Sequence, residues 1–273
     1  MKISDFKIQK KDKYYFRGNW DDSIFKKSIA VVGSRRMTRY GKEVTDKFVS
    51  ELVANGITTI SGFMYGIDTE VHQKTIDYGG RTVAVLGCGL DVIYPPENEK
   101  LYISILENNG LIISEYEPSS KPHLWKFPQR NKVVAALASM GILVIEAGEN
   151  SGSLITAKLA IKMKKKVFVV PGPITSNVSK GTNDLIKSGK GIMVTSPSDI
   201  TGHKLEIEND DLKLDLSGIE EKIYHILETE ALNTDEIAVQ INENIVEVGT
   251  ALSLMNIKGL VTESGGKFYV KNT

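Results

Sequence analysis

The sequence has few of the cysteine and histidine residues that form disulfides or bind metal ions. Its 273 residues include one cysteine, which excludes an intramolecular disulfide and a thiolate zinc site and fits a reducing compartment. The four histidines are scattered without the spacing of metal ligands. We therefore expect no metal and no other cofactor.

Long apolar runs are also missing. No segment approaches the roughly 18 apolar residues that can span a bilayer. The basic start of the chain is not followed by an apolar stretch, so no secretory signal is predicted. We expect a cytoplasmic protein without a membrane partner.

The net charge is zero, because 34 Lys and Arg balance 34 Asp and Glu, but the charges are unevenly distributed. Residues 1–200 carry 28 basic against 20 acidic side chains, whereas residues 217–273 carry four against nine. A basic body with an acidic tail predicts an anionic partner for the first part and a different partner for the second.

Seven short runs rich in Val and Ile predict a parallel sheet, since continuous apolarity is typical of strands covered on both faces. Segments with helical apolar spacing lie between many of them, so residues 1–200 are predicted to form a doubly wound α/β domain. The predicted strands are residues 28–32, 57–60, 82–86, 111–114, 142–145, 166–170 and 191–195.

The rest of the chain has a different pattern. Residues 201–216 lack a clear period and are predicted to be a linker. Three helices are expected in residues 217–273, at 218–230, 234–241 and 245–258, followed by a hairpin around Ser264-Gly265-Gly266. This order is typical of a winged helix.

Five loops that follow predicted strands are rich in Gly, Ser or Arg, as in Gly33-Ser34-Arg35-Arg36. Glycine lets backbone N–H groups approach an oxyanion, and a helix N-terminus favours negative charge. One such loop could be a structural turn, but five at one sheet edge indicate a phosphate site. Neither G-x-G-x-x-G nor a P-loop motif occurs, so a standard dinucleotide or ATP site is not supported.

A second informative segment lies ahead of a predicted helix, where Trp125 and Phe127 precede a polar and basic run. Basic groups beside aromatic rings are typical of single-stranded nucleic-acid binding. A hydrophobic staple with helix capping explains the same residues equally well. The run consists of Gln129, Arg130, Asn131 and Lys132.

Catalytic constellations are weak. His72 is expected to pack or cap, and Cys88 to be a small buried filler. Glu115 and Glu146 follow predicted strands and could support hydrolysis together. An orienting role towards arginine or backbone donors is the favoured interpretation.

The motifs AVVGSRR, SGFMYGIDTEVH, TVAVLGCGLDVIYPPEN, FPQRNKVVAALAS, NSGSLITAKLA and VPGPITSNVSKGTNDLIKSG occur in this order. Together they resemble the DNA-processing protein A family (DprA, also called Smf) across roughly residues 13–200. The resemblance implies an extended Rossmann-like core that binds single-stranded DNA without known catalysis. It also implies a homodimer that protects incoming DNA and helps load the RecA recombinase during natural transformation.

The resemblance places Arg35 on a DNA phosphate, the segment from Phe127 to Lys132 around the same pocket, and Ser151 to Thr156 at a phosphate-facing helix start. The candidate DNA- or phosphate-binding residues are Gly33, Ser34, Arg35, Arg36, Gly62, Phe127, Gln129, Arg130, Asn131, Lys132, Ser151, Gly152, Ser153 and Thr156.

Three features depart from the family pattern. About a dozen residues precede Tyr14, so the N-terminal helical domain of many members is expected to be absent. Lys132 stands where Arg is commoner, which keeps the charge but loses a planar donor. Helix 245–258 carries Glu247 and a single Lys, so residues 217–273 are expected to contact protein or to regulate rather than to read DNA, with a self-packing accessory as the alternative.

The alternative function is that of a nucleotide-processing enzyme. Phosphoribohydrolases of the LOG or lysine-decarboxylase-like group resemble the chain in a late loop, where they carry PGGxGTxxE. This chain has Pro171-Gly172-Pro173 and later Gly181-Thr182, with no Glu three residues on. The missing carboxylate and the interrupted glycines argue against a phosphoribohydrolase.

Overall fold

The computed structural model describes residues 2–202, 216, 218–258 and 260–270. The chain divides into two compact units, Met1–Lys204 and Leu205–Thr273. Most of the predicted linker, residues 201–216, lies outside the described residues.

The first unit is built on one nine-stranded sheet. The strands are β1 Gln9–Lys11, β2 Tyr14–Gly18, β3 Ser28–Gly33, β4 Thr58–Ser61, β5 Thr82–Val85, β6 Leu111–Ser114, β7 Gly141–Ile145, β8 Val167–Val169 and β9 Ile192–Met193. Their spatial order is β1-β2-β6-β5-β4-β3-β7-β8-β9. The strands from β3 onward confirm the seven predicted from the sequence, with ends shifted by a few residues.

Strands β3 to β9 pair in parallel, whereas β1 and β2 form an antiparallel hairpin that adds to β6. This hairpin was not predicted from the sequence, because its lysines interrupt the apolar pattern. Strand β3 lies between β4 and β7, so the chain direction across the sheet reverses there. The crevice beyond the carboxyl ends of β3 and β7 is where open α/β sheets bind ligands.

Helices cover both faces of this sheet, as expected for a parallel sheet. The helices are α1 Arg39–Ala54, α2 Ile67–Asp77, α3 Glu99–Glu107, α4 Lys126–Leu137, α5 Gly152–Lys162, α6 Lys180–Lys187 and α7 Ser198–Thr201. Ala30 and Val32 pack with α4 and α5 on one face, while Ile29 and Val31 pack with α1 and α2 on the other. The extended Rossmann-like α/β class predicted for the core is confirmed.

The second unit has its own apolar core, formed by residues such as Ile223, Ile237 and Leu252. It contains α8 Ile219–Leu227, α9 Thr234–Ile241, α10 Ile245–Ile257, β10 Val261–Ser264 and β11 Lys267–Val270. Asn233 caps α9 reciprocally with Glu236. Among the described residues of either unit, no helix has the length and apolarity to cross a membrane.

A buried polar network joins α2 to the middle of the first sheet. His72 Nδ1 lies 2.7 Å from Thr82 Oγ1, and Thr59 Oγ1 hydrogen bonds to both Thr82 and Thr75. His72 is fully buried and contacts the Phe63 ring. It therefore packs, as expected, and is not exposed for chemistry.

The network gives a testable pH dependence. Burial lowers the pKa of His72 to about 3, whereas a histidine in an unfolded chain titrates near pH ~6.5. Between these values the unfolded chain binds a proton that the folded chain excludes, so the free energy of unfolding falls as pH falls. We expect wild type to lose about 1.4 kcal/mol per pH unit more than His72→Gln below about pH 6. Urea unfolding followed by tryptophan fluorescence would measure this, and parallel pH curves would contradict it.

Candidate anion-binding cleft

A cleft of about 540 Å³ opens beyond the carboxyl ends of β3, β4 and β7. The three loops that follow these strands and the first half of α4 form its walls. Twelve of the fourteen predicted site residues line it, namely Gly33, Ser34, Arg35, Arg36, Gly62, Phe127, Arg130, Asn131, Ser151, Gly152, Ser153 and Thr156.

The loop after β3 presents two exposed arginines on a fixed backbone. Ser34 Oγ accepts a hydrogen bond from the Arg36 N–H at 3.0 Å, and the Ser34 carbonyl accepts one from Ile67 at 3.1 Å. Gly66, with φ +72°, lies against the Ser34 and Arg35 backbone where a Cβ would collide. The guanidinium of Arg35 lies 5.6 Å from the centre of the Phe127 ring. The loop is thus ordered while its cationic groups remain accessible.

Glu146, at the end of β7, holds the start of α1. The Thr38 N–H donates to Glu146 Oε2 at 3.0 Å, and the Thr38 hydroxyl donates to Oε1. Glu146 is buried and has φ +52°. Gly41 leaves the space that this carboxylate fills. Glu146 therefore orients a backbone donor, the role favoured from the sequence.

The N-terminus of α5 forms the opposite wall. Ser151 caps the helix through its hydroxyl, which also lies 2.7 Å from Ser153 Oγ. Asn131 Nδ2 donates to the Gly152 carbonyl at 3.3 Å and so ties α4 to this turn. An eleven-residue helix with Ser and Gly in its first turn favours a bound anion.

Arg130 lies at the base of the cleft and is only 4% exposed. Its Nη1 donates to the carbonyls of Gly62 and Val85, the latter at 2.8 Å, which follow β4 and end β5. A Cβ at position 62 would collide with this guanidinium, so a larger residue there would displace Arg130 from its present position. Arg130 therefore supports the cleft from below, whereas Arg35 and Arg36 reach its opening.

Asp68 is a buried carboxylate that the sequence analysis did not assign to the site. Burial raises its pKa, while the neighbouring Arg130 guanidinium opposes the rise. Met64 N–H donates to Asp68 Oδ2 at 3.2 Å. Three arginines and this single carboxylate line the cleft, so its charge stays positive.

Gln129 and Lys132 do not line this cleft, contrary to the expectation from the resemblance. They border a second depression together with Lys13, Tyr14 and Glu115. The physical reason is the helical period of α4, which turns positions 127, 130, 131 and 134 to one side and positions 129, 132, 133 and 136 to the other.

The aromatic residues differ sharply in exposure. Phe127 is 9% exposed and packs against Tyr94, so little of its ring is available to a ligand. Trp125 is 56% exposed beside the cleft, and Leu124, which the sequence did not single out, is 87% exposed in its wall. Their position just before α4 was the available signal, since a turn that precedes a helix often leaves apolar side chains in solvent.

The two carboxylates considered for hydrolysis are far apart. Glu115 follows β6 and Glu146 follows β7, with three strands between them. At about 4.8 Å per strand this places them roughly 19 Å apart, beyond the separation at which two carboxyl groups flank one bond. Glu115 instead pairs with Lys13 at 2.5 Å. Cys88 is buried, and burial raises the pKa of its thiol to about 11, so it is a poor nucleophile.

The fold and the cleft define a class, the doubly wound α/β proteins with anion-binding loops at the topological switch point. The sequence model of one family of this class, DNA recombination-mediator protein A, matches residues 9–204. The chain belongs to that family.

Individual relatives agree with this. The chain is 40% identical to DNA processing protein DprA of Streptococcus pneumoniae over 68% of its own length, and 41% identical to protein Smf of Escherichia coli over 63%. It spans 64% and 46% of the lengths of those two relatives.

Two solved structures of relatives are also similar. The pneumococcal DprA structure superposes with a TM-score of 0.65 and 38% identity, covering 70% of this chain and 65% of that one. A Helicobacter pylori DNA processing protein A, described for its binding of single-stranded DNA, superposes with a TM-score of 0.64 and 30% identity, covering 74% and 97%.

The different positions of two arginines predict different effects of their removal. Arg130→Met leaves two carbonyls and Asp68 without their buried cation, and we expect it to lower the free energy of unfolding by about 3 kcal/mol. Exposed Arg35→Ala should change it by less than about 0.5 kcal/mol. Trp20 and Trp125 both lie in the first unit, so their fluorescence during urea unfolding reports on this unit. Equal stabilities of the two variants would contradict a supporting role for Arg130.

Proposed function

We propose that the chain binds single-stranded DNA independently of sequence and passes it to a recombinase of the RecA type. The observation that carries the proposal is the pairing of exposed Arg35 and Arg36 with the N-terminus of α5 across one open cleft. Both features select anions, and a cleft that is open to solvent can accommodate a strand of phosphodiesters.

The polarity of the cleft favours backbone contacts over base reading. Guanidinium groups, hydroxyls and helix N–H groups bind phosphate oxygens, which carry no sequence information. Exposed Leu124 in the wall of the cleft and exposed Trp125 next to it would pack on the faces of unpaired bases. This combination predicts a preference for single strands over duplexes.

The family supports the biological side of the proposal. Its members are named recombination mediators, and the H. pylori relative is described as binding single-stranded DNA. We propose that this chain likewise acts by binding without catalysis, protects incoming strands and helps load RecA during natural transformation.

The alternative, a phosphoribohydrolase, finds little support in the late loop. Gly181 N–H donates to the Ala147 carbonyl at 2.7 Å, and the Thr182 hydroxyl donates to Ser179 at 2.8 Å. Asn183 closes the same loop by pairing with both backbone groups of Gly172. These groups stabilise the start of α6, and no carboxylate stands three residues after Thr182.

For the second unit we propose a winged-helix-like module that contacts protein. Helix α10 carries Glu247 and exposes Val246 and Ile257, which are 72% and 83% accessible. Val239 on α9 is 80% exposed. An apolar surface with acidic neighbours suits a protein partner better than a polyanion.

Removal of Arg35 tests the DNA proposal. Arg35→Ala should weaken binding of labelled single-stranded oligonucleotides about tenfold, equally for all sequences. It should also reduce the slope of log affinity against log salt concentration by about one, because one phosphate contact is lost. Fluorescence anisotropy across a salt series would measure both effects. Arg39→Ala is the matched control, since Arg39 is also exposed but pairs with Glu43 and does not line the cleft. Losses confined to particular sequences, or equal losses in both variants, would contradict the assignment.

We also propose a homodimer, formed at the edge of the sheet. Within the described residues, β9 is the strand at one edge of the nine-stranded sheet, and it exposes Ile192 and Met193. An exposed apolar edge strand is a template for pairing with another chain.

A charge at this edge should separate the copies. We expect light scattering to give twice 30.1 kDa for wild type and 30.1 kDa for Met193→Lys. Ile174→Lys changes a still more exposed apolar residue, in the loop after β8 and outside β9, and should leave the dimer intact. A dimer that persists in Met193→Lys would place the interface elsewhere.

A further inference from the structure

The second depression, on the other side of α4, has the features of a nucleotide subsite. It holds about 400 Å³ and is lined by Lys13, Tyr14, Glu115, Gln129, Lys132, Val133, Ala136 and Met163. Its lining therefore includes apolar side chains, one aromatic ring and a polar rim. An unpaired nucleotide has the same division into an apolar base face, a polar base edge and an anionic phosphate.

We propose that a single strand leaving the cleft crosses α4 and places one nucleotide in this depression, an inference that rests on the proposed function. Ala136 and Met163 offer apolar contacts to a base, and thioethers pack favourably on aromatic rings. The half-buried Tyr14 ring, which already contacts Trp20 and Lys13, adds an aromatic contact beside them. Lys132 is exposed on the rim and supplies the phosphate contact.

The charges of the rim favour this occupant. Glu115 is the acidic residue there, and its carboxylate is paired with Lys13 at 2.5 Å. Lys13 also lies 5.1 Å from the Tyr14 ring centre. Because the charges of Lys13 and Glu115 cancel, the charge of Lys132 makes the rim positive.

Gln129 provides the polar contact for a base edge. Its Oε1 accepts a hydrogen bond from the Tyr116 hydroxyl at 3.2 Å, which orients the amide. Its NH₂ group makes no hydrogen bond to another described residue and can donate to a base carbonyl.

Because the depression lies next to the first cleft, the nucleotide that it binds can belong to the strand bound in that cleft. Pro128 and Asn131 line the cleft, while Gln129 and Lys132 line the depression, so α4 is the wall shared by both. A helix with its side chains is about 10 Å across, which corresponds to about three nucleotides of a stacked strand. A strand can therefore occupy both sites.

Oligothymidylates of increasing length separate the two sites. Over about 4 to 16 nucleotides, we expect Lys132→Ala to match wild type on the shortest strands and to bind the longest about fivefold more weakly. For long strands, the slope of its log affinity against log salt concentration should fall by about one. Lys100→Ala, an exposed lysine on α3 that lines neither site, is the matched control.

The outcomes distinguish this inference from the proposed function. If Arg35→Ala weakens binding at every length but Lys132→Ala follows Lys100→Ala throughout, the subsite is wrong and the DNA proposal stands. If wild type binds no single strands, or Arg35→Ala changes nothing, the DNA proposal itself fails.

Photo-crosslinking locates the base directly. Strands containing 5-iodouracil should crosslink to the peptide with Tyr14, and Tyr14→Leu should remove that product. Tyr78, which directly follows α2 and is more accessible than Tyr14, is the internal control and should not react. Crosslinks restricted to Trp125, on strands long enough to cross α4, would overturn the proposal.

Discussion

The buried guanidinium of Arg130 is the interaction on which the cleft depends. It binds the carbonyl groups of Gly62 and Val85 at the ends of two adjacent strands and lies beside the carboxylate of Asp68. A buried charge persists only when its surroundings pair it, and here backbone acceptors and one carboxylate do so. The arginine thereby fixes α4 against the sheet edge, and α4 is the wall that the cleft shares with the second depression.

Other polar side chains around the cleft also position neighbouring elements. Glu146 binds Thr38 and so sets where α1 begins, while Asn131 joins α4 to the first turn of α5. These polar groups are occupied with positioning, which leaves Arg35, Arg36 and the α5 N-terminus to meet a ligand. A cleft organised in this way suits binding of an extended polyanion, because its recognition groups are held apart and face solvent.

Much of this architecture is local enough to be predicted. The seven parallel strands follow from continuous apolar runs, and the Gly33-Ser34-Arg35 loop follows from its place after β3. Gln129 and Lys132 show where prediction stops. Their neighbours in sequence line the cleft, but a helix turns each residue by about 100°, so adjacent positions serve different surfaces. The hairpin of β1 and β2 was missed because its lysines hide a strand that is completed only by pairing with β6.

The class of fold, the strand ends that carry the anion-binding loops and the family resemblance could all be inferred from the amino-acid sequence. Each of these depends on spacing along a short stretch of chain. The packed domain was needed to show that Arg130 points inward while Arg35 points outward, that Glu146 binds Thr38 and that α4 divides two surfaces. Those outcomes depend on which distant strands become neighbours, since burial and pairing are properties of the packed sheet and are not encoded in any single segment.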